Sequence, residues 1–296
     1  MMSRVDVLRN AIGASLDELL AALDLRPCGD DRFAVESAPA SGGTPDRVFG
    51  GQLLAQAVMG ASATVTDKDI HSLHATFLRA GTPGAPLRIH VARLRDGRSI
   101  ATREVTVLEE GTPTLVAVAS FARFLAEPDV TVPAPEVPPP DETPLLQELV
   151  GETASGRRWT EHPPAVELRL PEPPSFLSGV SAATPRAHWM RLPRSVGAEH
   201  ARNAALLAYA SDFFLMDMLF RWHPGERGPG RANGFSLDHA IWFHRPVRFD
   251  AWHLHAQEAV ALVGDRGLAR GAIHDVHGRC VASVAQEVLL RMGSPS

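Results

Sequence analysis

The residue of this chain best suited to acid–base chemistry is an aspartate in an apolar run. Asp212 lies between residues 206–209 and 213–216, which predict a buried helix. Burying a carboxylate is costly unless it is hydrogen-bonded, and desolvation raises its pKa towards the range of a general base. The alternative to a catalytic role is that the Asp212 carboxylate lies near the start of the helix or faces a gap filled with solvent. The sequence predicts a similar apolar helix earlier in the chain, and Gln52 lies at the matching point of that helix. An amide cannot act as a base, so at most one of the two helices carries a residue suited to this chemistry.

Two more polar residues lie in predicted strands. Ser236 begins the strand after that helix, and Gln286 lies in the last, apolar strand. A buried amide needs hydrogen-bond partners, and it can hold a water or a carbonyl without titrating. The residues alone favour the ordinary explanation, in which both side chains face outward. Asp238 and His239 are strand neighbours that point to opposite faces, so at most one of them can face a ligand.

Residue type and spacing exclude other chemistries. Lys68 is the only lysine and lies in a polar turn, which leaves Schiff-base and P-loop chemistry almost without a candidate. Residues 234–238 read Gly-Phe-Ser-Leu-Asp, which lacks the last glycine of a nucleophile elbow. The four histidines between residues 253 and 277 have no acidic or cysteine partner at a metal-ligand spacing. We therefore expect neither a metal nor a cofactor.

The elements that must position these residues form two copies of one pattern. Residues 71–124 and 235–290 each alternate apolar and polar residues, break at turn pairs such as Asp96-Gly97 and Gly264-Asp265, and alternate again. This pattern is typical of an antiparallel meander with tight turns. A repeat of this length indicates two domains of one fold, and function is sought where the copies differ.

Each meander follows a short strand and an apolar helix. Residues 32–38 and 50–63 precede the first meander, whereas residues 187–192 and about 199–220 precede the second. The sequence therefore predicts an α+β fold in which each of two curved antiparallel sheets is wrapped around one buried helix. An amphipathic helix over residues 5–24 comes before the first copy.

A proline-rich segment separates the copies. Residues 128–174 hold 12 of the 24 prolines, a density that prevents a regular helix or a central strand. The predicted organisation is an N-terminal domain over residues 1–125, a linker over 126–160 and a C-terminal domain over 161–296.

Composition and charge limit the class of protein. The chain has 296 residues, 45% of them hydrophobic, which suits two domains with a core each. A net charge of -5 argues against nucleic acid as the main partner, although scattered arginines can hold a smaller phosphorylated ligand. Two cysteines without metal-type spacing fit a reducing cytoplasm. No apolar run approaches the ~18 residues of a membrane span, so we expect no membrane insertion.

This order of elements, with particular phrases in it, resembles the acyl-CoA thioesterase II family, whose members are double hotdog proteins. The resemblance covers most of the chain outside the N-terminal helix and the linker. It rests on VFGGQ at residues 48–52, HSLHATFLR at 71–79, RDGRS at 95–99, YASD at 209–212 and LDH with WFHRP within 237–246. It implies two tandem hotdog domains and hydrolysis of acyl-CoA thioesters to free fatty acid and coenzyme A, with no metal.

The resemblance also implies a catalytic set. An Asp on the second helix, a Thr or Ser on the next strand and a Gln on the last strand map onto Asp212, Ser236 and Gln286. Ser236 keeps the hydroxyl of the threonine found in the bacterial archetype. The set is expected to activate a water that attacks the thioester, with backbone N–H groups at the start of the buried helix binding the oxyanion. Candidates for the coenzyme A phosphates are Arg79, Arg245, Arg248 and Arg291.

Two other functions stay open on the sequence. A hotdog enoyl-CoA hydratase uses an Asp and a His on one helix-associated loop, and no such histidine follows Asp212. An acyl-CoA or lipid binding protein without catalysis is the second alternative, and the presence of all three polar residues counts against it. Because each sheet offers a face or an edge that can pair, we expect a homo-oligomer.

Overall fold

The structure is a computed structural model, and it describes residues 4–39, 46–151, 153–182, 184–223 and 233–291. The described strands belong to one antiparallel sheet of 13 strands. Two apolar helices, one from each repeat, pack against each other.

An N-terminal helix precedes the first repeat, which ends in a meander. Ile12, Leu16 and Leu19 of the first helix are buried, as its amphipathic pattern predicts. Between the last two strands, Glu110 and Gly111 both have positive φ, 50° and 78°, as a tight hairpin turn requires. The elements are α1 (Arg4–Ala22), β1 (Arg26–Gly29), β2 (Arg32–Glu36), α2 (Gly50–Ser62), β3 (Asp69–Phe77), β4 (Pro86–Asp96), β5 (Ala101–Glu109) and β6 (Thr112–Ala122).

The proline-rich segment contains short helices, so the prediction that it holds no regular helix is wrong. They are a 3-10 helix (Pro140–Glu142), α3 (Leu146–Leu149) and α4 (Ala154–Glu161). Residues 145–162 contain no proline, which leaves them free to form helical turns. Leu145, Leu146 and Trp159 are buried in the core. The domain limits at 125 and 160 stay a prediction.

The second repeat has the same layout as the first. The strand predicted over residues 187–192 forms at Arg186–Arg191. The elements are β7 (Glu167–Arg169), α5 (Ser175–Ser178), β8 (Arg186–Arg191), α6 (His200–Ser211), α7 (Leu215–Trp222), β9 (Asn233–Ser236), β10 (Asp238–Phe243), β11 (His253–Val263), β12 (Arg266–Asp275) and β13 (Cys280–Arg291).

The two repeats share a strand order and join edge to edge. The order is β1-β2-β4-β5-β6-β3 in the first repeat and β10-β13-β12-β11-β8-β7 in the second, with β9 added to β13. β3 pairs with β10 in antiparallel register, from Asp238 opposite Thr76 to Trp242 opposite Ser72. Each repeat therefore contributes half of the sheet and an apolar helical segment, as the predicted α+β fold requires.

The predicted second helix, over residues 199–220, is in fact two helices. α6 ends at Ser211, Asp212 caps it, and Phe214 has a φ of 67°, in the left-handed region, before α7 starts at Leu215. Gln257 Nε2 donates to the carbonyl of Phe213 at 2.7 Å and so satisfies a backbone group that the break leaves outside the helix. The break places the Asp212 carboxylate at the end of a helix rather than inside one.

The segment His200–Trp222 has the length and hydropathy of a membrane span, so the prediction that no apolar run approaches that length is wrong. It is the one such candidate among the described residues. Its most apolar window is 94% buried inside the protein. A helical segment that is apolar nearly all round is typical of the core of a large sheet protein as well as of a membrane.

Candidate active site

A cavity of about 450 Å³ lies where the two repeats meet. The first repeat contributes Phe49 and Gly50 to its lining, and the second contributes Asp212, Ser236 and Gln286. The structure thus brings together all three residues of the predicted catalytic set, although they lie on three separate elements.

The Asp212 carboxylate is held at the start of the helix from the other repeat. Its Oδ2 accepts a hydrogen bond from the backbone N–H of Gly51 at 2.9 Å, in the first turn of α2. The positive end of the α2 dipole favours a negative charge at this point. The oxyanion was expected to use backbone N–H groups at the start of the buried helix, but in this structure the Gly51 N–H donates to Asp212.

Gln52 is not the counterpart of Asp212, contrary to the sequence prediction. Gln52 lies near the first residue of α2, whereas Asp212 follows the last residue of α6. The end of α2 is occupied by Ser62 and Ala63, which carry no carboxylate. Asp212 therefore has no carboxylate counterpart at the end of α2.

Burial raises the pKa of the Asp212 carboxyl above its usual value of 3.8. The nearby His239, the Gly51 N–H and the Gln286 side chain each oppose this rise by favouring the ionised form. A carboxylate with a raised pKa is a stronger base than an exposed aspartate, which suits it to accept a proton from water.

Ser236 and Gln286 form a hydrogen-bonded pair beside Asp212. The Gln286 amide Nε2 donates to Ser236 Oγ. Gln286 is fully buried, so the outward-facing explanation that the residues alone favoured is wrong for it. Because Ser236 Oγ accepts from the amide, its own proton is available to a molecule in the cavity.

His239 belongs to the same network, and sequence reasoning did not assign it to the site. It is fully buried, with Nδ1 at 2.9 Å from Gln286 Oε1 and Nε2 at 2.9 Å from Ser211 Oγ. Its Nδ1 also lies 4.0 Å from Asp212 Oδ1. The signal was the Asp238-His239 pair: Asp238 is exposed, so the histidine is the one that faces inward.

The tautomer of His239 and the orientation of the Gln286 amide are linked through the contact between His239 Nδ1 and Gln286 Oε1. Burial lowers the pKa of His239, so the ring carries one proton. With that proton on Nδ1, the ring donates to Gln286 Oε1 and turns the amide N–H groups towards Ser236 and Asp212. His239 is not among the residues that line the cavity, and its contact with the cavity residue Gln286 is through Gln286 Oε1.

His239→Asn is expected to retain more activity than His239→Gln. The Asn amide nitrogen can occupy the place of Nδ1 and donate to Gln286 Oε1, whereas a Gln amide reaches the place of Nε2 and Ser211. We expect kcat for His239→Gln to fall on the order of tenfold to a hundredfold, because the Gln286 amide is misplaced. Steady-state kinetics and a thermal melt of both variants provide the measurement. Equal kcat values for the two variants would show that His239 has only a packing role.

Comparison with known proteins gives consistent matches along the chain. The family model described as the acyl-CoA thioesterase N-terminal domain matches residues 39–122, and the one described as the acyl-CoA thioesterase C-terminal domain matches residues 133–290. Acyl-CoA thioesterase 2 of Haemophilus influenzae is 32% identical over 255 residues, which cover 83% of this chain and 88% of the relative.

Solved structures agree with this match. The crystal structure of acyl-CoA thioesterase II TesB2 from Mycobacterium marinum has a TM-score of 0.75 and 28% identity, covering 95% of this chain and 99% of that one. A protein with a hot dog fold from Alicyclobacillus acidocaldarius has a TM-score of 0.75 at 20% identity, covering 93% and 98%. The predicted double hotdog fold is confirmed.

Proposed function

The chain belongs to the acyl-CoA thioesterase II family and hydrolyses acyl-CoA thioesters to free acid and coenzyme A; from this premise we propose that Asp212, Ser236 and Gln286 activate the attacking water. The observation that carries the proposal is the position of Asp212. Its buried carboxylate lines the cavity beside the Ser236–Gln286 pair, with its pKa raised by burial.

In the proposed reaction, a water bound by these three groups attacks the thioester carbonyl carbon. Asp212 takes a proton from the water as the new C–O bond forms, and the carbonyl oxygen becomes an oxyanion. The positive end of the α2 dipole lies next to Asp212 and stabilises the negative charge that develops on the carbonyl oxygen. The C–S bond then breaks, the coenzyme A thiolate leaves, and Asp212 returns its proton to the thiolate. No covalent enzyme intermediate forms.

The deep end of the cavity fits an acyl chain. Trp159, Phe214 and Phe220 line it and are each about 5% exposed. Burial of apolar area gives ~25 cal/mol per Å², so each methylene of an acyl chain that enters this region adds to binding. We propose that the acyl group lies among these aromatic rings with its carbonyl at Asp212.

Replacement of Ser236 tests the role of its hydroxyl. Ser236→Ala is expected to lower kcat by about tenfold to a hundredfold, because the water loses a partner in the transition state. Ser236→Thr restores the hydroxyl and is expected to retain most of the rate. Free-thiol release from a panel of short, medium and long acyl-CoAs is the assay. Equal rates for the Ala and Thr variants would remove Ser236 from the proposed set.

A single turnover in water enriched in the heavy oxygen isotope tests direct attack. The proposal requires that the acid released in the first turnover carry the heavy isotope and that Asp212 carry none. If the first-turnover acid instead contained oxygen from the protein, Asp212 would be a nucleophile and not a base. An acylated Ser236, detected by intact-protein mass, would also contradict the proposal.

We further propose that the protein works as a cytoplasmic homo-oligomer without a nucleic-acid partner or membrane insertion. The apolar side chains Val118, Trp242 and Leu268 are 37–39% exposed on the sheet, and the net charge of -5 disfavours binding to phosphate backbones. Light scattering on the purified chain should give a mass above the 31.9 kDa of one copy, and a monomer would contradict the proposal.

A further inference from the structure

The cavity has an exposed, positively charged mouth and a buried aromatic floor. Arg47, Arg79 and Arg291 line the mouth, where Arg79 and Arg291 are exposed and Arg47 is partly exposed. The proposed catalytic set, Asp212, Ser236 and Gln286, lines the same cavity. If the acyl chain occupies the floor, the coenzyme A part of the substrate must leave through the mouth, past these guanidinium groups.

Two of these arginines lie far apart in the sequence but contact the same aromatic ring. The guanidinium carbon of Arg47 lies 4.6 Å from the centroid of the Phe235 ring, and that of Arg291 lies 5.2 Å from it. Such stacking uses the planar face of a guanidinium and leaves its N–H edges available for a second partner. Phe235 directly precedes Ser236, so the ring fixes two positive charges next to the site.

These mouth arginines have no acidic partner among the residues that the structure describes. Among the described residues, no carboxylate lies within 4.0 Å of Arg47, Arg79 or Arg291. By contrast, Arg93 pairs with Asp31 and Arg245 with Asp129. Like charges brought together without an acidic partner repel one another, which an anionic ligand relieves.

We propose that Arg47 and Arg291, aligned on Phe235, bind the phosphate groups of coenzyme A, with Arg79 adding a third positive charge. Planar guanidinium groups suit bidentate contacts with phosphate oxygens. On β13, Arg291 lies five residues beyond Gln286, and its guanidinium reaches back to the ring of Phe235, the neighbour of Ser236. The inference rests on acyl-CoA as the substrate of this cavity.

This assignment corrects part of the sequence expectation. Of the four arginines named there, Arg79 and Arg291 line the cavity, while Arg245 is paired with Asp129 and Arg248 lies 3.5 Å from Asp250. Arg47 was not among the candidates. The protein as a whole has a net charge of -5, so a local positive cluster is needed to attract a highly anionic substrate.

The test compares two thioesters of one acyl group, the acyl-CoA and the N-acetylcysteamine thioester, which lacks all phosphates. For Arg47→Gln, Arg291→Gln and the double variant, we measure the ratio of kcat/KM between the two substrates. We expect each single variant to lower the ratio about five- to tenfold, and the double variant to lower it further. High salt should weaken use of acyl-CoA by the wild type more than by the double variant. Arg88→Gln, an exposed arginine of β4 away from the cavity, is the control and should keep the wild-type ratio.

Calorimetric measurement of the binding of free coenzyme A tests the arginines independently of the proposed catalytic set. Binding needs no turnover, so it reports on the arginines even if Asp212 proves not to activate water. We expect the dissociation constant of coenzyme A to rise in the arginine variants and to stay unchanged in Arg88→Gln. Unchanged coenzyme A binding and an unchanged substrate ratio would overturn the inference. An equal loss with both thioesters would also overturn it, since the arginines would then support the cavity and not the phosphates.

Discussion

Asp212→Asn is expected to lower kcat for acyl-CoA hydrolysis by about a thousandfold, the range over which a positioned general base contributes. The Asn side chain keeps the shape, and its oxygen can still accept from the Gly51 N–H. It cannot take a proton from water. Free-thiol release from the acyl-CoA panel measures the loss, and a variant that keeps the wild-type rate would remove Asp212 from the mechanism.

The pH dependence of the wild type reports the same group. Asp212 must be ionised to act, and burial raises its pKa above the usual 3.8. We therefore expect kcat/KM to fall on the acid side with a midpoint above that value. A midpoint at or below it would mean that the group controlling the rate is an ordinary exposed carboxyl.

Stability should move in the opposite direction from activity. A group whose pKa is raised by folding stabilises the fold in its protonated form, and this contribution is lost as pH rises from the unfolded value through the folded one. At neutral pH the ionised Asp212 therefore costs stability, and Asp212→Asn removes that cost. We expect the Tm of the variant to equal or exceed that of the wild type at neutral pH, with the difference shrinking towards acid pH.

A second buried aspartate of the same cavity provides the control. Asp217 forms a buried ion pair with Arg186 and accepts from the N–H groups of Ser175 and Phe176. Asp217→Asn leaves that guanidinium without its buried partner, which costs about 3 kcal/mol or more. The main effect of Asp217→Asn should be a lower Tm, whereas the main effect of Asp212→Asn should be a lower kcat. The reverse pattern would mean that Asp217 activates the water and that Asp212 mainly supports the fold.

The parts of the fold that depend on local pattern were predictable from the sequence. Alternation of apolar and polar residues and the turn pairs placed both meanders, because strand facing and hairpin turns are set by neighbouring residues. The helix break at Asp212 was not predictable in this way. It depends on one left-handed residue, Phe214, and on a hydrogen bond from Gln257, which lies 44 residues away from Phe213.

The site was predictable only in part for the same reason. Residue types alone placed Ser236 and Gln286 outward, and the family resemblance was needed to bring them to Asp212. The contacts of Gln286 with Ser236 and His239 join strands 47 to 50 residues apart. The contact of Gly51 with Asp212 spans 161 residues and joins two repeats. No periodicity within one segment contains information about such a contact.

Gly51→Ala is expected to destabilise the protein by about 3 kcal/mol and to lower kcat as well. A methyl group at this position would lie 2.2 Å from the carbonyl oxygen of Tyr209 and 2.6 Å from the Phe49 ring. Because the first contact is with backbone, no side chain can turn away, and α2 and α6 must move apart. That movement also separates the Gly51 N–H from Asp212. A thermal melt should show a fall in Tm of about 6 °C or more.

Substitutions at two other glycines separate the loss of stability from the loss of activity. At Gly50 a methyl group would lie 2.8 Å from Asp212 Oδ2, the end of a side chain, so Gly50→Ala should displace the carboxylate and lower kcat with a smaller loss of stability. At Gly13, inside α1, a methyl group meets nothing within 4 Å, so Gly13→Ala should stabilise the helix by ~0.5–1 kcal/mol and leave kcat unchanged. If Gly51→Ala behaved like Gly13→Ala, the two helices would not meet at Gly51, and the junction between the repeats would not be what holds Asp212 in place.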